Sequence, residues 1–135
     1  DIKDMGTVFP LRILLAEDND LNLQLMTLMF QQLGFQFEVA KNGVEVLEQV
    51  KIKEFDVILM DVQMPVMNGL EATREIRKME GKEHIIIIGL SANVFEEDQK
   101  KAMESGMNDY LTKPIRLAAL ADKLEYFYRK VREKA

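Results

Sequence analysis

Apolar residues fall in five short runs, and each run ends on polar side chains. Leu11–Ala16 is followed by Glu17-Asp18, Phe35–Ala40 by a Lys41-Asn42-Gly43 turn, and Val57–Met60 by Asp61. Ile85–Leu90 ends on Ser91-Ala92-Asn93, and Asp109–Thr112 on Lys113-Pro114. Short, near-continuous apolar runs predict strands buried on both faces, as a parallel sheet requires. Between the runs, apolar positions recur at helical spacing. Helices are expected from Asn19-Asp20 to Leu33, with Gly34 as the stop, from Val44 to Lys53, and from Asn68-Gly69 to Met79. Another covers Phe95 to Ser105, closed by Gly106. The last begins at Leu117, with Leu120, Leu124, Phe127 and Val131 on one face.

Strand–helix repeated five times implies an α/β fold, a doubly wound parallel sheet with helices on both faces and right-handed crossovers. For five strands the expected arrangement is flavodoxin-like, (βα)5 in the order 2-1-3-4-5. That order sets strand 1 beside strand 3, then 4, then 5. Their carboxyl ends then share one rim carrying Glu17, Asp18, Asp61, Ser91 and Lys113. Asp61 taken alone would read as a helix cap or a loop acid. The topology makes it the middle member of an acidic trio.

Composition narrows the setting. The 135 residues suit one domain, with residues 1–10 a linker or remnant and residues 11–135 the folded unit. The chain begins at Asp1 rather than Met, which suggests a piece of a longer protein. A net charge of -5 disfavours direct nucleic-acid binding and attraction to an anionic membrane. No cysteine is present, which excludes disulfides and zinc-thiolate sites and suits a cytoplasmic domain, even if the parent is membrane-anchored.

Three carboxylates in one place repel each other, and a hard divalent cation relieves this. Few carboxylates plus water suit Mg²⁺, which expects a phosphate partner. An ammonium (Lys113) and a hydroxyl (Ser91) opposite the metal complete a surround for a transferring phosphoryl group. Asp61 is then placed to act as nucleophile.

Glu17-Asp18, the Met-Asp-Val-Gln-Met-Pro-Val-Met-Asn-Gly segment (60–69), Ser91-Ala92 and Lys113-Pro114 resemble the receiver domain of two-component response regulators. The likeness runs from about residue 11 to residue 131. It implies Asp61 as phosphoacceptor, with Mg²⁺ held by Asp18, Asp61 and the Gln63 backbone carbonyl and reached by Glu17 through water. It further implies phosphoryl contacts from Ser91 and Lys113, a switch pairing Ser91 with Tyr110, and a cis Lys113-Pro114 bond. Self-phosphotransfer and autodephosphorylation would follow. The Ala-Glu-Asp-Asn start and the loop after Asp61 are most similar to receivers of hybrid sensor histidine kinases, which would make the parent chain a transferase. The donor would be a histidine kinase or a histidine phosphotransfer domain. No feature of the sequence calls for a dimer.

Two rival readings are a haloacid-dehalogenase-type phosphohydrolase and an inert pseudo-receiver. The first needs an acid two residues after the nucleophile, where Gln63 stands. The second conflicts with the intact rim. His84, the only histidine, precedes a strand in a turn and reads as a surface residue, so the phosphoryl donor lies elsewhere. The helix after Asp20 is apolar around twice the usual stripe and carries no charge from Leu21 on, which marks its surplus face, with Leu23 and Met26, for partner docking. The helix after Phe95 offers only Val94, Phe95, Ala102 and Met103 for burial and is expected to be loosely held.

Overall fold

The computed structural model describes residues 4–93 and 95–134. In chain order the elements are α1 (Met5–Val8), β1 (Ile13–Ala16), α2 (Asp20–Leu33), β2 (Phe37–Ala40), α3 (Gly43–Ile52), β3 (Val57–Asp61), α4 (Gly69–Lys78), β4 (Ile86–Ser91), α5 (Glu96–Ser105), β5 (Asp109–Thr112) and α6 (Leu117–Lys134). All pairings are parallel, and the sheet order is β2-β1-β3-β4-β5. The doubly wound, flavodoxin-like expectation holds, with element ends displaced by one or two residues.

Alternation along the central strands divides the core in two. Ile13, Leu15, Val57, Leu59, Ile88 and Leu90 face α2 and α6, where they meet Phe30, Leu33, Leu120 and Leu124. Leu14, Ala16, Ile58, Met60 and Ile87 face the other way, toward Val46 and Val50 of α3, Ala72 and Ile76 of α4, and Ala102 of α5. Val57 to Met60 have no solvent exposure, so β3 is fixed from both sides and its last residue has little freedom to move. The helices start where side chains stand in for missing backbone partners. Asn19, Asn42 and Asn68 accept from the amides of Asn22, Glu45 and Glu71, and Asn68 with Glu71 forms a full capping box.

Met5 to Phe9 are packed rather than free, unlike the linker expected over residues 1–10. Asp1 to Lys3 lie outside the described residues, but Met5–Val8 makes one helical turn and Met5 is 6% exposed within the α2–α6 half of the core. Phe9 stacks edge-on to Tyr128 at 5.3 Å, with the Arg129 guanidinium at 5.3 Å from its ring. Among the described residues two apolar side chains, Met5 and Phe9, make the attachment, too few for sequence periodicity to reveal.

α5 is sparsely anchored, and of the four residues expected to anchor it only Ala102 is buried among those described. Its N-cap Phe95 makes no side-chain cap and is exposed, as is Met103, leaving Ala102 and Ser105 as its buried residues. Val94 falls outside the described residues.

Met5→Ala should lower stability in urea unfolding by about 2 kcal/mol, the lower end for deleting a buried methionine side chain. A residue in a free linker would register no change.

Candidate phosphoacceptor and metal site

Register brings the rim together. Ala16 pairs with Met60 and Asp61 with Leu90, so Glu17 leaves the sheet level with Asp61 and Ser91 stands one step beyond. Ser91 pairs with Thr112, which delivers Lys113 next. Backbone bonds extend these pairings past the strands: Glu17 N–H donates to Ala40 O at 3.0 Å, Val62 N–H to Leu90 O at 3.0 Å, and Lys113 N–H to Ser91 O at 2.7 Å. The result is an open cleft of about 760 Å³, bordered by Asp18, Asp61, Gln63, Met64, Asn68, Ser91 and Lys113.

Glu17, Asp18 and Asp61 each offer a carboxylate oxygen within 4.8 Å of the others. Their surroundings differ. Glu17 and Asp61 are buried, while Asp18 is exposed at the mouth. Lys113 Nζ bridges the buried pair, 3.0 Å from Asp61 Oδ2 and 3.2 Å from Glu17 Oε1. Only the first contact has hydrogen-bond geometry; Glu17 Oε1 is buried with no hydrogen-bond partner among the described residues. Asp61 Oδ1 accepts from Gln63 N–H at 3.1 Å, and Glu17 Oε2 accepts from Asn19 N–H at 3.2 Å.

One ammonium therefore faces two buried carboxyl groups, and Glu17 absorbs the mismatch. Burial, and after it the negative charge of the neighbouring Asp61, push its pKa from 4.5 to about 7, against the weaker pull of the Asn19 amide and Lys113. Burial alone would lower the Lys113 pKa, but the hydrogen bond and charge of Asp61, helped by Glu17, raise it, so the ammonium stays charged. An orphaned, buried carboxylate oxygen inside an all-oxygen donor set fits a hard cation, Mg²⁺ above all.

The remaining predicted residues sit around this centre. Ser91 is 5% exposed, and its Oγ accepts from Asn93 N–H at 3.1 Å. The Tyr110 hydroxyl, half-buried, donates to Asn93 O at 2.9 Å. Met64 is buried in the α3–α4 half of the core, the Lys113-Pro114 bond is cis as the resemblance implied, and His84 is exposed as expected. Asn93 was missed by sequence reasoning. It joins Ser91 to Tyr110 through its backbone, which no side-chain motif advertises beyond a hydroxyl two residues before an amide donor.

α2 requires one correction. Its surplus apolar face exists, but Met26 is 3% exposed and belongs to the core. The uncovered side chains are Leu21 (64% exposed), Leu25 (47%) and Leu28 (57%), with Leu23 half-buried beside them. A step of one residue, about 100° of helical rotation, separates Met26 from Leu25, and the apolar sequence gives no cue to the phase.

The raised Glu17 pKa fixes the sign of a pH effect. Between about 4.5 and 7 the folded state keeps a proton that the unfolded state releases, so this residue's contribution to stability falls as pH rises. Without divalent cations, Glu17→Gln should gain stability relative to wild type across that window and hold the gain above it, as read by urea unfolding at stepped pH. A difference independent of pH would contradict the assignment.

Comparison with known proteins agrees with this geometry. The model of the response regulator receiver domain family matches residues 13–125. Hybrid signal transduction histidine kinase G of Dictyostelium discoideum is 44% identical over 121 residues, covering 87% of this chain and 4% of the kinase. Histidine protein kinase 1 of Candida albicans is 42% identical over 140 residues, covering 96% of this chain and 6% of the kinase. The chain thus spans a small fraction of the curated relatives it matches. Among solved structures, the receiver domain of a Pseudomonas aeruginosa sensor histidine kinase, with a magnesium ion coordinated in its active-site cleft, is 36% identical with a TM-score of 0.82, covering 87% of this chain and 97% of that one. The receiver of a Saccharomyces cerevisiae response regulator, solved with its histidine phosphotransfer protein, is 34% identical with a TM-score of 0.80, covering 86% and 87%. The chain belongs to the response regulator receiver family and is a receiver domain of a two-component phosphorelay.

Proposed function

We propose that Asp61 is the phosphoacceptor and that the residues around it carry out the transfer. The observation that carries this reading is the Lys113 bridge: one ammonium lies within ion-pair distance of Asp61 and of the orphaned Glu17 carboxylate. An Asp61 oxygen attacks the phosphorus of a phosphohistidine. The new P–O bond forms as the P–N bond breaks, and the electron pair leaves with the imidazole nitrogen. Lys113 shifts its contact to a phosphoryl oxygen, and Ser91 Oγ donates to another.

Asp18, Asp61 and the Gln63 carbonyl would hold Mg²⁺, with Glu17 reaching it through water. The cation supplies charge neutralisation for the phosphoryl oxygens. The magnesium ion seen in the Pseudomonas aeruginosa receiver supports this reading. Gln63 leaves no titratable group two residues after Asp61, which favours a phosphoryl-holding switch over a hydrolase.

The switch reading follows from the same contacts. A phosphoryl group that draws Ser91 Oγ inward competes with its bond from Asn93 N–H, and Asn93 O is the partner of the Tyr110 hydroxyl. The loosely held α5 adjoins this loop and would move with it. Leu21, Leu25 and Leu28 offer the donor an apolar seat beside the cleft. The Saccharomyces cerevisiae complex supports a histidine phosphotransfer protein as that partner. Similarity to hybrid kinases supports a parent of that kind, a transferase acting in the cytoplasm. No described helix is long and apolar enough to cross a membrane.

Incubation with acetyl phosphate and Mg²⁺ should add the mass of one phosphoryl group to the intact chain, and Asp61→Asn should abolish the addition. Labelling that survives the substitution, or needs no divalent cation, would overturn the assignment. In the labelled sample, amide exchange of α5 should change more than that of α2.

Leu25→Glu should slow phosphotransfer from a histidine phosphotransfer protein by at least about tenfold, the loss of one buried anchor, yet leave acetyl-phosphate labelling at the wild-type rate. Equal loss in both reactions would refute docking on α2.

A further inference from the structure

The loop between β3 and α4 carries the Gln63 backbone past Asp61 and walls one side of the cleft. It reverses at Val66, whose φ is 70°, with Met67 N–H donating to Pro65 O at 2.7 Å. An i to i+2 bond across a positive-φ residue is the strained form of the γ-turn. A β-branched residue is a poor occupant of that region. Val66 is also 82% exposed, so no packing of its own side chain explains the conformation. The turn is imposed by the loop's attachments.

Two glycines supply them. Gly69 N–H donates to Val62 O at 3.0 Å, and a β-carbon on Gly69 would collide with the carbonyl oxygen of Asp61. Gly43, the first residue of α3, donates its N–H to Met67 O at 2.8 Å. A β-carbon on Gly43 would stand 2.6 Å from both Met67 O and Met67 Cγ. Gly43 does not border the cleft, so it reaches the site only through the loop.

We propose that Gly43, through its clamp on the strained Val66–Met67 turn, is a positioning residue that sets the Gln63 main chain against Asp61. The loop is already bonded to the carboxylate, since Gln63 N–H lies 3.1 Å from Asp61 Oδ1, and any slackening of the turn is felt there directly. The proposal rests on Asp61 being the phosphoacceptor.

Three variants test it: Gly43→Ala, which forces Met67 outward; Val66→Pro, whose φ near -65° forbids the turn at an exposed position; and Val66→Gly, which adopts positive φ freely. Mg²⁺ alone is titrated calorimetrically into each, thermal unfolding is followed without metal, and acetyl-phosphate labelling is timed. Gly43→Ala and Val66→Pro should bind Mg²⁺ about tenfold more weakly, the low end for lost support of a metal ligand. Val66→Gly should bind as wild type does and melt no lower. Should Gly43→Ala fail to fold, Val66→Pro decides. Wild-type Mg²⁺ affinity in Val66→Pro would overturn the proposal. A wild-type chain that takes up no phosphoryl group would instead overturn the assignment of Asp61.

Discussion

Two carboxyl groups share a buried space with one ammonium, and the chemistry of the site follows from that imbalance. Removing one partner of a buried ion pair ordinarily costs several kcal/mol. Here one charge is in excess from the outset, and the fold tolerates it because Glu17 can hold a proton near neutral pH. The same excess makes the cleft ready for a cation. A site built for stability would have replaced Glu17 with an apolar residue. Keeping it leaves Glu17 Oε1 without a hydrogen-bond partner among the described residues and Lys113 divided between two acids.

The scaffold distributes rigidity around that imbalance. β1 and β3 lie in the middle of the sheet with both faces covered, so Glu17 and Asp61 are held by the best-packed part of the molecule. Ser91 and Lys113 come from β4 and β5, nearer the edge, and their neighbours are linked by single hydrogen bonds through Asn93. α5, resting on Ala102 and Ser105, has little apolar area to lose if it moves. At its far end Arg77 of α4 donates to Gly106 O at 2.8 Å and to Asn108 Oδ1 at 2.8 Å, so that end is fastened. The acid at the centre thus stands on the firmest packing and the periphery on the least.

Legibility followed the range of the physics. Strands and helices were readable because burial on both faces leaves unbroken apolar runs, and Asn19, Asn42 and Asn68 mark helix starts by local hydrogen bonds. The five rim residues were readable because strand ends and sheet order together place them. The phase of α2 was not: with apolar residues nearly all round, only packing against β1 and α6 decides that Met26 enters the core and Leu25 does not. Met5 and Phe9 escaped notice because their partners, such as Tyr128, lie at the other end of the chain.

The sequence by itself determined the sheet, the acidic pair after β1, the carboxylate that ends β3 and the amine after β5, since each depends on residue type and near-neighbour spacing. Tertiary structure alone decided how the charges are shared. Which acid protonates, which oxygen is orphaned and what Lys113 touches depend on distances of about 3 Å between residues some 50 or more positions apart. It also decided that Val66 sits at positive φ, a conformation its own side chain disfavours and contacts with distant Gly43 impose.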